Sequence, residues 1–275
     1  DALLDLCTAA EKQDATIADR LEAVRKRHVV IADTLLDGAS RDEYIAILDQ
    51  DCRNIAGILE TVRMIRSASR NVRELVAGFG EIWSTRLFVR YLQKRAKRPG
   101  KIAWVDARDI VVVDWGSLGP TVRWDESRAN TARLIPQDAG TLIITGFIAR
   151  DAKGLQTTLG RNGSDFSGSI FGALLEAEEI HIWTDVDGVL SADPRLVPDA
   201  TVIDSLSYNE AMELAYFGAK VLHPQTMAPA VMKSIPIWIR NTFAPEKAGT
   251  LICEKPDSKL AVKGITSIDK VALAN

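Results

Sequence analysis

The sequence predicts an α/β protein in which a mostly parallel central sheet is covered by helices on both faces, behind a helical N-terminal portion. Residues 1 to about 97 show helical periodicity, and after Arg98-Pro99-Gly100 short β-rich runs alternate with helical stretches. The composition is that of an ordinary globular chain, with 47% hydrophobic and 26% charged residues. Because alternating strands and helices are typical of parallel sheets between helical layers, the predicted architecture is a three-layer αβα sandwich.

The N-terminal helices are predicted from apolar residues that recur every three or four positions. The clearest stripe consists of Ile45, Leu48, Cys52, Ile55, Leu59 and Val62. Such spacing places apolar side chains on one face of a helix, which then packs into a core or against a second helix. A further stripe between Ile17 and Leu35 contains His28. We therefore interpret His28 as a packed helix residue rather than a metal ligand.

Strands and helices alternate in the remainder of the chain. The predicted strands are Ile102–Val105, Ile110–Val113, Leu142–Thr145, Ile180–Thr184, Ile235–Arg240 and Thr250–Cys253. Predicted helices cover residues 126–135, 165–178, 207–217 and 225–233. Ser207 and Glu210 form a capping box at the start of the third of these helices, and Gly218 supplies its C-terminal stop. Ligands of such sheets bind beyond the carboxyl ends of the strands, so the loops after Thr145 and Thr184 are the candidate site.

Charge and cysteine content exclude several classes of protein. The formal net charge is −3 and acidic and basic residues are interleaved, so the sequence predicts neither a nucleic-acid partner nor an anionic membrane partner. No apolar run approaches the roughly 18 residues of a membrane span. Three widely spaced cysteines without zinc spacing, and the lack of a secretory pattern at the start, favour a reducing, cytoplasmic location.

A loop rich in glycine and polar residues precedes the predicted helix 165–178. Its sequence is Gly160-Arg161-Asn162-Gly163-Ser164-Asp165. Unpaired N–H groups at a helix start, together with an arginine, favour binding of a carboxylate or phosphate. The same residues fit a structural role in which Ser164 or Asp165 caps the helix and Gly163 forms a turn. The residues alone leave both interpretations open.

Three aspartates follow the strand Ile180–Thr184, namely Asp185, Asp187 and Asp193. They lack the glycine and terminal glutamate of a calcium loop, so we predict no metal-ligating residues and interpret Asp187 and Asp193 as turn or cap residues. Arg195 follows Asp193-Pro194 on a stiff turn, where its cation could meet a phosphate.

Two more charged residues allow both a functional and a structural interpretation. Glu81 lies among apolar residues, where its carboxylate needs a cationic or N–H partner unless it is exposed at a helix end. Lys220 follows Gly218 and is a solvated surface lysine unless it serves a binding site. Familiar P-loop, dinucleotide-binding and protein-kinase signatures are absent from the sequence.

Four motifs in this order resemble the aspartokinases of the amino-acid-kinase superfamily, most closely those in bifunctional chains. They are Gly80-Glu81-Ile82-Trp83-Ser84-Thr85, Gly160-Arg161-Asn162-Gly163-Ser164-Asp165-Phe166-Ser167, Trp183-Thr184-Asp185-Val186-Asp187-Gly188-Val189 with Asp193-Pro194-Arg195, and Phe217-Gly218-Ala219-Lys220-Val221-Leu222-His223-Pro224. The resemblance implies the amino-acid-kinase fold. It further implies transfer of the γ-phosphoryl group of ATP, with Mg²⁺, to the side-chain carboxylate of L-aspartate, in the first step toward lysine, threonine and methionine. A homo-oligomer is expected.

The resemblance also implies roles for individual residues. Glu81 is expected to pair with the α-ammonium of aspartate, Arg161 to clasp a substrate carboxylate, and Ser164 to add a contact within the Asn162-Gly163-Ser164 segment. Asp165 and Lys220 are the expected catalytic residues, Asp165 because it orients the catalytic lysine of the family. The expected nucleotide-binding residues are Thr184, Asp185, Leu190, Arg195, Lys220 and Val221. Because a carboxylate substrate is already ionised at pH 7, this chemistry requires no general base.

The resemblance divides the chain into a catalytic domain, residues 1–262, and the start of an ACT regulatory domain, residues 263–275. Aspartokinases open with a strand and a Lys-Phe-Gly-Gly segment that this chain lacks, so we expect part of its active site to be missing. The fused partner would be homoserine dehydrogenase or diaminopimelate decarboxylase. Two alternatives stay open: a related kinase acting on glutamate, acetylglutamate, carbamate or UMP, and a catalytically silent module that binds nucleotide or mediates assembly.

Overall fold

The computed structural model describes residues 2–96, 101–117, 119–216, 223–257 and 262–267. The chain divides into two compact units, Asp1–Gly160 and Arg161–Asn275. Lys220, Val221 and the predicted helix stop at Gly218 lie outside the described residues, as does most of the predicted ACT segment. The expectations for these positions, and the domain boundary at residue 262, therefore remain predictions.

The first unit begins with four helices that form one apolar core. They are α1 (Ala2–Glu11), α2 (Ile17–Leu35), α3 (Gly38–Ile65) and α4 (Arg70–Arg95). The predicted stripe of α3 is confirmed, since its members from Leu48 to Val62 are buried. Trp83 of α4 is fully buried in this core and its indole N–H donates to Asp51 at 2.9 Å. A large aromatic ring with its polar atom satisfied is a favourable core residue.

The remainder of the first unit is a mixed α/β region. Its elements are β1 (Lys101–Val105), α5 (Ala107–Ile110), β2 (Val112–Gly116), β3 (Gly119–Val122), α6 (Trp124–Leu134), β4 (Ala139–Ile144), β5 (Ile148–Asp151) and β6 (Gln156–Thr158). Strands β1 and β4 pair in parallel. The other four strands form a sheet in the order β3-β2-β5-β6, in which β2 and β5 are parallel.

Within the described residues, the second unit contains one four-stranded sheet and three helices. Its elements are α7 (Gly163–Leu174), β7 (Ile180–Thr184), β8 (Ser205–Ser207), α8 (Tyr208–Tyr216), α9 (Pro224–Met232), β9 (Ile237–Asn241) and β10 (Thr250–Cys253). The strand order is β7-β9-β10-β8. The capping box of α8 is confirmed, because the Ser207 N–H donates to the Glu210 carboxylate at 2.6 Å and the Glu210 N–H to the Ser207 hydroxyl at 3.2 Å.

The predicted fold class is confirmed, with four parallel and three antiparallel pairings among the described strands. The predicted strand Ile110–Val113 is wrong at its start. Ile110 closes the short helix α5, which Asp106 caps by accepting the Arg108 N–H, and β2 begins only at Val112. The sequence analysis also missed α5 and the strands β3, β5, β6 and β8, which are too short for a periodic pattern to register. No helix in the described ranges is long and apolar enough to span a bilayer.

His28 is packed within the helical core, as its place in the α2 stripe predicted. Its ring centroid lies 5.1 Å from that of Trp83 in an edge-on arrangement, and its Nδ1 is 3.4 Å from the Tyr44 hydroxyl. Burial, with a smaller contribution from the charge of Arg27, lowers the pKa of His28. The folded protein therefore holds this imidazole in its neutral form to a lower pH than the unfolded chain does.

We expect the free energy of unfolding to fall as the pH drops below the ordinary histidine pKa of 6.5, because the unfolded chain binds the proton first. The loss ends once the pH is below the lowered pKa of the folded state. His28→Phe removes the titrating group but keeps a ring in the core. Urea unfolding at about pH 5.5 and about pH 7.5 measures the effect, which should be larger in the wild type. Equal pH dependence in both proteins would contradict the assignment.

Candidate functional site

The glycine-rich segment around Arg161 leads from β6 into α7. Gly160 has a φ of +74°, and a Cβ placed on it would contact the ring of Trp115 at 3.4 Å. Asn162 also has a left-handed backbone, with φ 56°, and α7 begins directly afterwards at Gly163. Tight backbone turns of this kind aim successive N–H groups at one point.

The helix-cap interpretation of this segment is wrong. Ser164 and Asp165 lie inside the first turn of α7, and Asn162 occupies the N-cap without a side-chain cap bond. The N–H groups of that first turn have no acceptor within the helix. Arg161 and Ser164 are exposed, so a guanidinium and a hydroxyl stand in solvent at the positive end of a 12-residue helix. This arrangement can bind a carboxylate or phosphate.

Asp165 differs from its exposed neighbours because it is half-buried. Burial raises the pKa of its carboxyl group above the ordinary value. A buried carboxylate without a cation is costly, so Asp165 is suited to receive one, as an organising partner of a lysine would.

Glu81 lies in the middle of α4 and is half-buried, so the helix-end interpretation is wrong. Burial raises the pKa of its carboxyl group. Its main-chain carbonyl accepts from the hydroxyl of Thr85 at 2.7 Å, but within the described residues no hydrogen bond or ion pair reaches its carboxylate. A desolvated carboxylate of this kind is matched by a ligand that carries an ammonium or other cation.

The loop after β7 is fixed by its aspartates. The Thr184 hydroxyl donates to Asp185 at 3.2 Å, at the exit of the strand. Asp187 accepts from Asn241 at 2.6 Å and from Lys247 at 2.7 Å, and both partners lie at or beyond the end of β9. Asp187 thus joins the exits of two neighbouring parallel strands, and these contacts hold its pKa below the ordinary value.

Arg195 and Leu190 lie further along the same loop. Asp193 accepts from the backbone N–H of Arg195 at 2.9 Å, which confirms its predicted turn role, and also holds the guanidinium at 2.5 Å. The Arg195 side chain is 75% exposed, so part of it still faces solvent. Leu190 is half-buried and forms an isolated antiparallel bridge with Val202. The described residues contain no group of three or more metal-ligating side chains.

Phe147 is a candidate residue that the sequence analysis missed. It follows β4 and has a φ of +67°, which is unusual for a bulky residue. Its carbonyl accepts from the N–H of Leu159 at 2.7 Å, which links the exit of β4 to the segment before Arg161. Strained backbone is concentrated at functional sites. The sequence shows no signal for Phe147, because only the folded backbone reveals the strain.

The predicted substrate residues occur in both units. Glu81 is in the first, and Arg161 with Ser164 and Asp165 opens the second. Glu81 lies in the middle of α4, whereas Arg161, Ser164 and Asp165 lie at the start of α7. The sequence profile of the amino acid kinase family matches residues 7–241, and the chain therefore belongs to that family.

Individual proteins that are similar to this chain indicate which members of the family it resembles. The chloroplastic bifunctional aspartokinase/homoserine dehydrogenase 2 of Arabidopsis thaliana is 40% identical over the full length of this chain. Aspartokinase III of Escherichia coli, solved in complex with aspartate and ADP, is 32% identical, with a TM-score of 0.81 over 93% of this chain. The same enzyme in complex with lysine and aspartate has a TM-score of 0.80 over 93% of this chain, at 31% identity.

These comparisons confirm the predicted resemblance to aspartokinases. The chain spans 31% of the Arabidopsis protein and 56% of each solved chain. The chain therefore matches only part of each of these longer proteins.

We expect Glu81→Gln to raise the free energy of unfolding of the unliganded protein by about 1 kcal/mol at pH 7, because it removes an unpaired buried charge. A raised pKa means that stability is lost as the pH rises from the ordinary carboxyl value through the raised one, and glutamine removes this loss.

Glu74→Gln on the same helix is the matched control for urea unfolding. Glu74 accepts hydrogen bonds from Arg70 and Thr157, so its loss should lower stability. If Glu81→Gln proved as destabilising as Glu74→Gln, then Glu81 has a structural partner and is not a free binding group.

Proposed function

We propose that this chain is the kinase part of an aspartate kinase, which transfers the γ-phosphoryl group of Mg-ATP to the side-chain carboxylate of L-aspartate. The main observation behind this proposal is the half-buried carboxylate of Glu81, which has no partner within the described residues. The solved complex of Escherichia coli aspartokinase III with aspartate and ADP supports the choice of substrate and nucleotide.

Free aspartate carries one ammonium and two carboxylates, so it needs binding groups of both signs. Glu81 pairs with the α-ammonium, which compensates the desolvated charge on both partners. Arg161 holds a carboxylate through its planar guanidinium, and Ser164 and the N–H groups of the Asn162-Gly163 turn add hydrogen bonds. The same groups orient the side-chain carboxylate for attack.

In the chemical step, a side-chain carboxylate oxygen attacks the γ-phosphorus and the bond from that phosphorus to the β,γ-bridging oxygen breaks. The products are 4-phospho-L-aspartate and ADP. Because both reactants are anions, catalysis consists of alignment and of cations that offset their repulsion. Arg195 and Lys220 supply positive charge to the phosphates. Thr184, Asp185, Leu190 and Val221 hold the nucleoside.

Asp165 takes the place of the family's carboxylate that orients the lysine of the Lys-Phe-Gly-Gly segment, and Mg²⁺ enters as the ion bound to ATP. We infer that the product serves lysine, threonine and methionine biosynthesis. The cytoplasmic location, the homo-oligomer and the ACT segment at residues 263–275 are part of the same proposal.

The full-length protein is assayed for ADP release with a panel of substrates: aspartate, glutamate, acetylglutamate, carbamate and UMP. We expect ADP release only with aspartate. Hydroxylamine trapping should yield the aspartyl hydroxamate, because an acyl phosphate reacts with this nucleophile. If ADP were released with another member of the panel, that compound and not aspartate would be the substrate. Nucleotide binding by calorimetry without ADP release would favour a silent binding module.

We expect Arg161→Ala to raise the KM for aspartate by about 100-fold, as loss of a charged hydrogen-bond partner at a binding site does, and to change the KM for ATP little. Arg20→Ala is the control, since the Arg20 side chain contacts only Asp14 and Thr16 at the surface among the described residues. Initial rates at varied aspartate and ATP measure both constants. An unchanged aspartate KM would remove Arg161 from the substrate site.

A further inference from the structure

Gln156, the first residue of β6, joins this strand to helix α4. Its Nε2 donates to the main-chain carbonyls of Glu74 at 3.0 Å and Leu75 at 3.2 Å. Gly78 lies one turn further along the helix, and a Cβ built on it would lie 2.2 Å from the same Nε2. A side chain at position 78 would therefore expel the amide from the helix surface, so the contact requires glycine there.

The other end of the Gln156 amide is fixed as well. Its Oε1 accepts from the Arg108 guanidinium at 2.6 Å, and Arg108 in turn donates to the buried Asp106 at 2.9 and 3.1 Å. Because a guanidinium only donates hydrogen bonds, the amide oxygen must face Arg108 and the amide nitrogen must face the helix. The orientation of Gln156 is therefore determined by its partners.

A second contact attaches the same helix to the same strand. The Thr157 hydroxyl donates to the Glu74 carboxylate at 2.8 Å, and Arg70 donates to that carboxylate at 2.7 Å. Strand β6 thus contacts α4 in two ways. Gln156 binds main-chain carbonyls of the helix, and Thr157 binds a side chain of the helix. Together these contacts resist both rotation and sliding of the helix.

Glu81 lies seven residues beyond Glu74, which places the two residues on one face of α4 and about 10 Å apart along the axis. We propose that Gln156 and Gly78 act as a positioning pair for Glu81, setting the rotation and height of α4 so that its carboxylate meets the ammonium of the substrate. This inference rests on the proposed function. Neither residue touches the reacting atoms, so both are positioning residues.

The test compares Gly78→Ala with Gly57→Ala in the full-length protein. Gly57 is an exposed helical glycine of α3 with no atom within 4 Å of an added Cβ, so alanine there disturbs nothing. We expect Gly78→Ala to raise the KM for aspartate about tenfold, because misplacing a binding group weakens its contact. The KM for ATP and kcat should stay within about twofold of the wild type. Gly57→Ala should leave all three constants unchanged.

Gln156→Ser removes the amide without adding bulk. It tests the same contact if Gly78→Ala does not fold. It should raise the aspartate KM to a similar extent. Adding Gly78→Ala to Gln156→Ser should cause little further increase, because the close contact with Gln156 is already lost and only the milder approach to Ile148, at 3.1 Å, remains. A purely structural role would lower the unfolding midpoint without changing the ratio of the two KM values.

The positioning proposal is overturned if folded variants keep the aspartate KM of the wild type, or if the ATP KM rises equally. Failure of the proposed function is recognised separately. In that case the wild type itself releases no ADP with aspartate, and the positioning proposal fails with it.

Discussion

Helix α4 packs on two sides, and the first unit depends on this double contact. On one side Val76, Trp83 and Leu87 are buried in the core of the N-terminal helices. On the other side the helix is held by β6 through Gln156. Because one rigid helix packs against both surfaces, a change in either contact shifts the helix as a whole. Glu81 belongs to the same helix, so the position of its carboxylate depends on both contacts.

Buried carboxylates in this protein fall into two groups with different chemistry. Asp106 and Glu74 are compensated by arginines and hydroxyl or N–H donors, and they contribute to the architecture. Glu81 and Asp165 have raised pKa values whose sole cause is burial. The second group is unfavourable for the unliganded protein, since no partner among the described residues offsets the desolvation. Such cost is tolerated where a ligand completes the contact, which is the physical basis for assigning these two residues to a site.

The long helix α3 and the strand β7 could be predicted from the sequence, because α3 repeats its apolar stripe over about five turns and β7 is a distinct β-rich run between predicted helices. The three-residue strands β6 and β8 could not, since their pairing is fixed by neighbours distant in the chain. The motif that we propose to bind aspartate was recognised through its resemblance to a family. The strain at Phe147 and the contact of Gln156 with Gly78 depend on the folded backbone, so no pattern of residue types reveals them.

The pairing of Arg195 with Asp193 has a consequence for the way an anion can enter the loop after β7. The guanidinium already has a carboxylate partner, so an incoming phosphate must share or exchange that partner instead of meeting an isolated cation. Exchange of one anion for another changes the local charge less than simple neutralisation does. If this arginine binds phosphate as proposed, that binding would depend only weakly on ionic strength, and its selectivity would come from the planar geometry of the guanidinium more than from long-range attraction.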